Sequence, residues 1–270
     1  MEYINEFFKA FWARLVESVG IGDIGEEIVN AIAPKTMFSF NISGYDVMIT
    51  DATFVSWIVM VLILGLVLWL GYNPQRLPTT KRQLVAESLV SLLLKLCQTS
   101  GMTYEQSEKV VPFVGTIAIF ISLTNLSALF KIAPPAKNPA FPLALAIFTV
   151  IYVIGMSIRL VGLKGFWDSL IYPRAMLLPF KLLDYLIKPI SLSLRLFGNI
   201  FGSFILMEFI NIIVPAIIPG LVGLWFDLAD GILQGAIFTY LSITYISEVI
   251  EGAHMAHEAR NTARIEQPAH

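Results

Sequence analysis

The chain has 270 residues, 56% of them hydrophobic and only 14% charged, with a net charge of −2 and a mean hydropathy of +0.73. The apolar share lies well above that of a water-soluble domain and the charged share well below it, so the chain reads as a membrane protein. The charge balance argues against a nucleic-acid partner, because phosphate binding needs a basic surface. The single cysteine, Cys97, excludes an internal disulfide and argues against redox chemistry or a cysteine-based metal site.

The first fifteen residues, MEYINEFFKAFWARL, lack a basic start, a clean apolar core and a small-residue cleavage site, and are not read as a cleaved signal peptide. Ile4, Phe7, Phe8, Phe11, Trp12 and Leu15 share one side at helical spacing, which predicts an amphipathic helix lying at an interface. Residues 38–49, FSFNISGYDVMI, alternate as a small hairpin or extended segment does. Three runs then meet the roughly 20-residue length of a membrane span: Phe54 to Gly71, Val110 to Leu129 and Phe141 to Leu160. Between the first two, TTKRQLVAESLVSLLLKLC starts with threonines able to cap a helix and carries an apolar stripe, which predicts a second interfacial helix. Two further apolar stretches, Pro189 to Ile213 and Leu221 to Ile250, are long and interrupted by polar side chains.

The expected architecture is therefore an all-α polytopic membrane protein of about five membrane helices plus amphipathic interfacial helices. It divides into an N-terminal interfacial segment over 1–52, membrane helices over 53–250 and a tail over 251–270, with no repeat and no second domain. Lysine and arginine are dense after the first span (Arg76, Lys81, Arg82, Lys95, Lys109) and after the third (Arg159, Lys164, Arg174, Lys181, Lys188). They are sparse after the second, and the turn VPAIIPGL has none. By the positive-inside rule this alternation puts the N-terminus outside and the C-terminus in the cytoplasm.

Arg195, inside SLSLRLFGN, stands out in this pattern. A charge near mid-bilayer costs about 2.5–3.5 kcal/mol on insertion scales, and a guanidinium does not shed its proton, so Arg195 acts as a fixed cation facing protein or water. The alternative is that it snorkels to the interface or pairs structurally with a buried acid. At about 100° per residue Asn199 falls on nearly the same face, flanked by the small residues Ser191, Gly198 and Gly202 that permit close approach by another helix. Phe204, Glu208 and Asn211 fall on the opposite side. On the last span Asp227, Asp230, Gln234, Tyr245 and Glu248 lie within about 60° of one another, a polar stripe that lines either an aqueous path or a protein contact.

These features resemble subunit a of the F-type rotary ATP synthases, the stator protein that faces the rotating c-ring. KPISLSLRLFGNIFG, residues 188–202, matches the signature around that family's essential arginine. TNLSALFKIAPP, ESLVSLL and LQGAIFTYLSITYISE support it, over roughly residues 50–250. The resemblance implies a non-catalytic, ion-conducting subunit with no cofactor and no metal. It implies c-ring subunits, peripheral-stalk b subunits and, indirectly, an F1 head as partners, and a bacterial plasma membrane or an organelle's energy-transducing membrane as location. H⁺ or Na⁺ enters one half-channel, rides the ring on a c-subunit carboxylate and leaves by a second half-channel. Arg195 favours the charged form of each arriving carboxylate and blocks direct flow between the half-channels.

By the same resemblance Arg195, Asn199 and Gln234 sit where the family has them. The chain departs from the pattern at Phe204, where many members carry Glu or His, and Glu208 one turn later is expected to serve as the outer titratable group. Asp227 stands where relatives place His or Glu, with Asp230 beside it. Asp184 matches an acidic position near the inner half-channel, or else pairs with Lys181 or Lys188 on its own helix. Glu248 is expected at the inner exit. A self-contained proton-coupled secondary transporter is the alternative reading, and it predicts internal repeats and paired broken helices that the sequence lacks. A non-conducting scaffold is a third reading. No Gly-x-x-x-x-Gly-Lys-Ser/Thr loop is present, so ATP chemistry belongs to a partner.

Overall fold

The computed structural model describes residues 36–42, 45–72, 80–130, 132, 134–173, 175–213 and 217–265. The expected interfacial helix near the N-terminus lies outside them. The first described element is an antiparallel pair, β1 (Thr36–Ile42) and β2 (Tyr45–Thr50), in which Ile42 faces Tyr45 and Phe40 faces Val47. The alternation read over 38–49 is thus a hairpin. Six helices follow: α1 (Asp51–Leu70), α2 (Lys81–Thr99), α3 (Tyr104–Leu126), α4 (Ala140–Ile171), α5 (Leu178–Ile213) and α6 (Ile217–Ile265).

Four of them, α1, α3 with the turn after it, α4 and α6, are long and apolar enough to cross a membrane. The fifth candidate, α5, carries Lys181, Asp184, Lys188, Arg195 and Glu208 along its 36 residues. It nonetheless packs against α4 and α6 within the same bundle.

Three boundaries differ from the sequence reading. The helix α4 runs past Leu160 because Gly162, at φ 77°, breaks the helical path without ending it, and a short second leg continues to Ile171. That backbone region suits glycine, which has no Cβ to clash. The helix α5 begins eleven residues before Pro189 and carries that proline inside, and α6 reaches Ile265. At 1.5 Å per residue the 49 residues of α6 extend about 73 Å, far more than a bilayer needs. The helix α2 forms where the second interfacial helix is predicted. Thr80 occupies its N-cap position but makes no side-chain cap. The capping box is found on α3 instead: Thr103 Oγ1 accepts from Gln106 N, and Gln106 Oε1 accepts from Thr103 N at 2.9 Å.

The core is a stack of α3, α4 and α6. Val110, Val111, Val114, Val153, Met156, Ile243, Ile246 and Ile250 form one layer. Ile117, Ile121, Ala146 and Phe238 form the next, joined there by Leu192 and Leu196 of α5. The contact between α3 and α6 is close at Gly235, where a Cβ would stand 2.8 Å from the Ala118 carbonyl oxygen and closer still to Ser122 Oγ. Lys137 reaches Asp51 at 2.6 Å and ties the turn before α4 to the start of α1.

Gly235→Ala is expected to cost about 1–3 kcal/mol, since backbone as well as a side chain blocks the added methyl, and detergent-solubilised protein should unfold at a lower temperature. Cys97 is fully buried on α2, and burial pushes its thiol up to about 11, so the thiolate is scarce at neutral pH. Maleimide at about pH 8 should label it only after denaturation, as read by mass shift.

Candidate functional site

The seam between α5 and α6 gathers most of the polar residues that the sequence singles out. The two helices run antiparallel, as two contacts show. Asn199 Nδ2 donates to Gln234 Oε1 at 2.7 Å, and Lys188 Nζ donates to Glu248 Oε2 at 2.7 Å. Viewed down α5, Lys188, Arg195 and Asn199 fall within about 40° of one another, so one narrow strip carries all three. Arg195 is about 10 Å from Lys188 along the axis and about 6 Å from Asn199, by helical rise.

On one side of that strip Leu192 and Leu196 are buried against Phe238. On the other, Ser191, Leu194, Gly198 and Gly202 are exposed, and a Cβ added at either glycine would meet nothing within 4 Å. The small residues expected to admit a neighbouring helix therefore face open space in this chain. Arg195 sits half-buried at the edge of that open face, within electrostatic reach of the Tyr245 hydroxyl. Among the described residues there are four ion-paired couples, Lys137–Asp51, Lys188–Asp184, Lys188–Glu248 and Arg260–Asp168, and none involves Arg195.

The polar stripe on α6 divides into two clusters. Toward the turn that joins the two helices, Asp227 and Asp230 line a cavity of about 220 Å³ together with Asn125, Ser203, Ile200, Ala128 and Pro134. Asn199 reaches beside Asp230 as well as to Gln234. Gln234 is fully buried, and its Nε2 has no hydrogen-bond partner among the described residues. The Glu208 side chain and that of Phe204 lie outside the described residues; the backbone of both belongs to α5.

Toward the other end, Lys188 is the centre of a charged cluster. Its side chain is only 9% exposed, yet it meets Glu248 at 2.7 Å and Asp184 at 3.2 Å, and it lies over the Tyr245 and Tyr185 rings at 4.6 and 5.0 Å. Asp184 and Glu248 are themselves half-exposed, so one buried cation is shared by two wet carboxylates. A cleft of about 30 Å³ beside them, bordered also by Lys181 and Ser169, has room for a water molecule. Lys181 does not pair with Asp184. Its ammonium donates to the Ser169 and Tyr172 carbonyl oxygens and closes the end of α4.

Of the residues that the sequence singles out, the structure sets Asp227 and Asp230 with Asn125, Gln234 with Asn199, and Asp184 and Glu248 with Lys188, and Arg195 lies between the last two groups. Sequence reasoning misses two residues. Lys188 is counted among the loop cations, although it is buried. Asn125 is quoted only as part of a motif, although it is 5% exposed, lines the cavity and has both amide atoms without a partner among the described residues. An asparagine inside an apolar span is the signal that would have found it.

Because Lys188 keeps one carboxylate when the other is removed, Asp184→Asn and Glu248→Gln should each lower stability only slightly. The double variant strands a buried cation and should cost more than the two single losses added, by about 1 kcal/mol or more, in unfolding measurements on the four proteins.

Residues 53–247 match the family model described as ATP synthase A chain. Among curated proteins the chain is 31% identical over 201 residues to ATP synthase subunit a of Moorella thermoacetica, covering 73% of this chain and 89% of that one. It is 32% identical to ATP synthase subunit a 1 of Crocosphaera subtropica, covering 73% and 86%. It is 28% identical to the sodium-ion-specific ATP synthase subunit a of Propionigenium modestum, covering 78% and 76%.

Proposed function

From the premise that the chain belongs to the ATP synthase A chain family, as an F-type subunit a, we propose that Arg195 is the fixed charge dividing two ion half-channels built along the α5–α6 seam. The polypeptide is a multi-pass membrane protein and an ion-translocating stator subunit of the Fo motor, working within a complex of several subunits. The comparisons favour this role over a self-contained transporter. One observation carries the assignment of Arg195: a half-buried guanidinium without a carboxylate partner among the described residues, at the edge of an open face of small and apolar side chains.

That face is the docking surface for the c-ring, whose carboxylates supply the partner that this chain withholds. As each one arrives within about 4–6 Å, the guanidinium lowers its pKa by about 1–3 units and the ion leaves. The cavity bounded by Asp227, Asp230, Asn125 and Ser203 is the outer half-channel, with Glu208 as a further titratable group on α5. The cluster of Asp184, Lys188 and Glu248 borders the inner one. Between them Leu192, Leu196 and Phe238 form a buried apolar layer that opposes direct passage of a cation past Arg195. Asn199 and Gln234 hold one another and steady the strip on which Arg195 stands.

The loop charges support an N-terminus outside and a tail in the cytoplasm, and the bacterial relatives support a bacterial plasma membrane. Peripheral-stalk b subunits brace the stator, and ATP chemistry takes place in the soluble head. The ion is a proton or a sodium ion; one relative of similar overlap is sodium-specific by name.

In inverted membrane vesicles carrying the whole complex, Arg195→Ala should reduce ATP-driven ion pumping to background while the assembled complex still co-purifies with its c-ring. Pumping by that variant at the wild-type rate would remove Arg195 from the mechanism. Glu208→Gln and Asp227→Asn should each slow pumping severalfold, and near-normal flux in both would end the outer half-channel assignment.

A further inference from the structure

The far side of the α3–α4 pair lies away from the α5–α6 seam, yet it holds a cavity of about 620 Å³, lined by Lys109, Tyr152, Gly155, Met156 and Arg159. Lys109 immediately precedes the apolar run of α3 that starts at Val110, and Arg159 closes the apolar run of α4 three residues before the break at Gly162. The two cations therefore stand at one level, where hydrocarbon gives way to the polar boundary. Gly155 lies about 6 Å deeper than Arg159 by helical rise, and Met156 beside it is buried. The Tyr152 ring, which lines the cavity, stacks on Phe113 at 3.4 Å and 9°. The Arg159 guanidinium lies within electrostatic reach of the Tyr152 hydroxyl.

Neither cation is ion-paired among the described residues. Glu105 and Glu108 share α3 with Lys109, yet they form no salt bridge with it and do not line the cavity. The cavity thus has two free cations and a phenol at its mouth and an apolar floor beneath them. That order, charge outside and grease inside, is the order of groups along a phospholipid.

We infer that this cavity is a binding site for an anionic phospholipid, whose phosphate lies between Lys109 and Arg159 and whose upper acyl carbons lie over Gly155 and Met156. The Tyr152 hydroxyl donates a further hydrogen bond to the phosphate. A volume of this size is of the order that a small-molecule site uses. The apolar floor separates a lipid from free phosphate, which would engage the two cations and leave the floor unused. Gly155 keeps the floor open: a Cβ there would meet nothing within 4 Å, so a larger side chain enters the cavity rather than the protein.

The test uses the full-length chain in neutral detergent, titrated with phosphatidylglycerol, with phosphatidylcholine and with glycerol phosphate, bound lipid being counted by native mass spectrometry. Phosphatidylglycerol should bind more tightly than either comparison ligand. Lys109→Gln with Arg159→Gln should weaken it about thirtyfold, as expected for two interfacial cations. Gly155→Leu, which leaves both charges in place, should also weaken it, whereas Lys109→Arg with Arg159→Lys should retain it and so report on folding. The exposed pair Lys95→Gln with Lys164→Gln should change nothing. Equal affinity for phosphatidylcholine, unchanged binding in the Lys109/Arg159 glutamine variant, or glycerol phosphate binding as tightly as the lipid would each overturn the proposal. So would a protein chain cross-linked to Gly155→Cys in the intact complex.

Discussion

Two polar contacts about 16 Å apart along α5 hold it against α6: the amide pair of Asn199 and Gln234, and the ion pair of Lys188 and Glu248. At the Asn199–Gln234 contact Gln234 is fully buried, where a polar side chain gains from a partner because little water replaces it, and at the other contact a buried lysine is held by two half-exposed carboxylates. With both ends pinned, the helices have no freedom to shift register, and Arg195 is held between the contacts. The layer of Leu192, Leu196 and Phe238 beneath it contains nothing that would neutralise or hydrate a charge. Among the described residues no carboxylate pairs with that guanidinium, and its edge of the open face is where one could approach.

The rest of the bundle supports that seam. The approach of α3 to α6 at Gly235 brings Asn125 to the same cavity as Asp227 and Asp230, so α3 supplies one wall of a cavity that α5, α6 and the turn after α3 also border. The long packing of α4 on α6, with Arg260 clamped by the Asp168 carboxylate, extends α6 well past the membrane portion and anchors its far end. The same α3–α4 pair that forms the scaffold leaves Lys109 and Arg159 facing outward. One packed unit thus presents an open face of small residues beside Arg195 on one side and a cavity bordered by two cations on another.

Much of the seam was legible in the sequence, for a definite reason. Helical rotation relates Arg195 to Asn199, and Asp227 to Asp230 and Gln234, without any tertiary information, because residues on a single helix share one rigid geometry. The same reasoning treated the stripe on α6 as one feature, whereas Tyr245 and Glu248 face Lys188 and the other three face Asn199 and the cavity. A wheel gives an angle but not the neighbour met at that angle. The charge alternation counts Lys188 with the cations after the third span, but α5 begins at Leu178 and continues through Pro189, and the fold buries Lys188 against Glu248 of α6. Asp184 took the partner Lys188, one of the two that its spacing allowed.

By itself the sequence determined the solvent, the spans, the face on which Arg195 lies and, through its signature, the family. Each of these follows from local composition or from geometry within one helix. Only the tertiary structure decided that α5 and α6 are registered through Asn199–Gln234 and Lys188–Glu248, that Asn125 joins the two aspartates, and that Lys109 and Arg159 share a cavity. Those are distances between separate helices. They are set by how apolar faces pack and by where a glycine such as Gly235 lets backbones meet, and no period read along a chain contains that information.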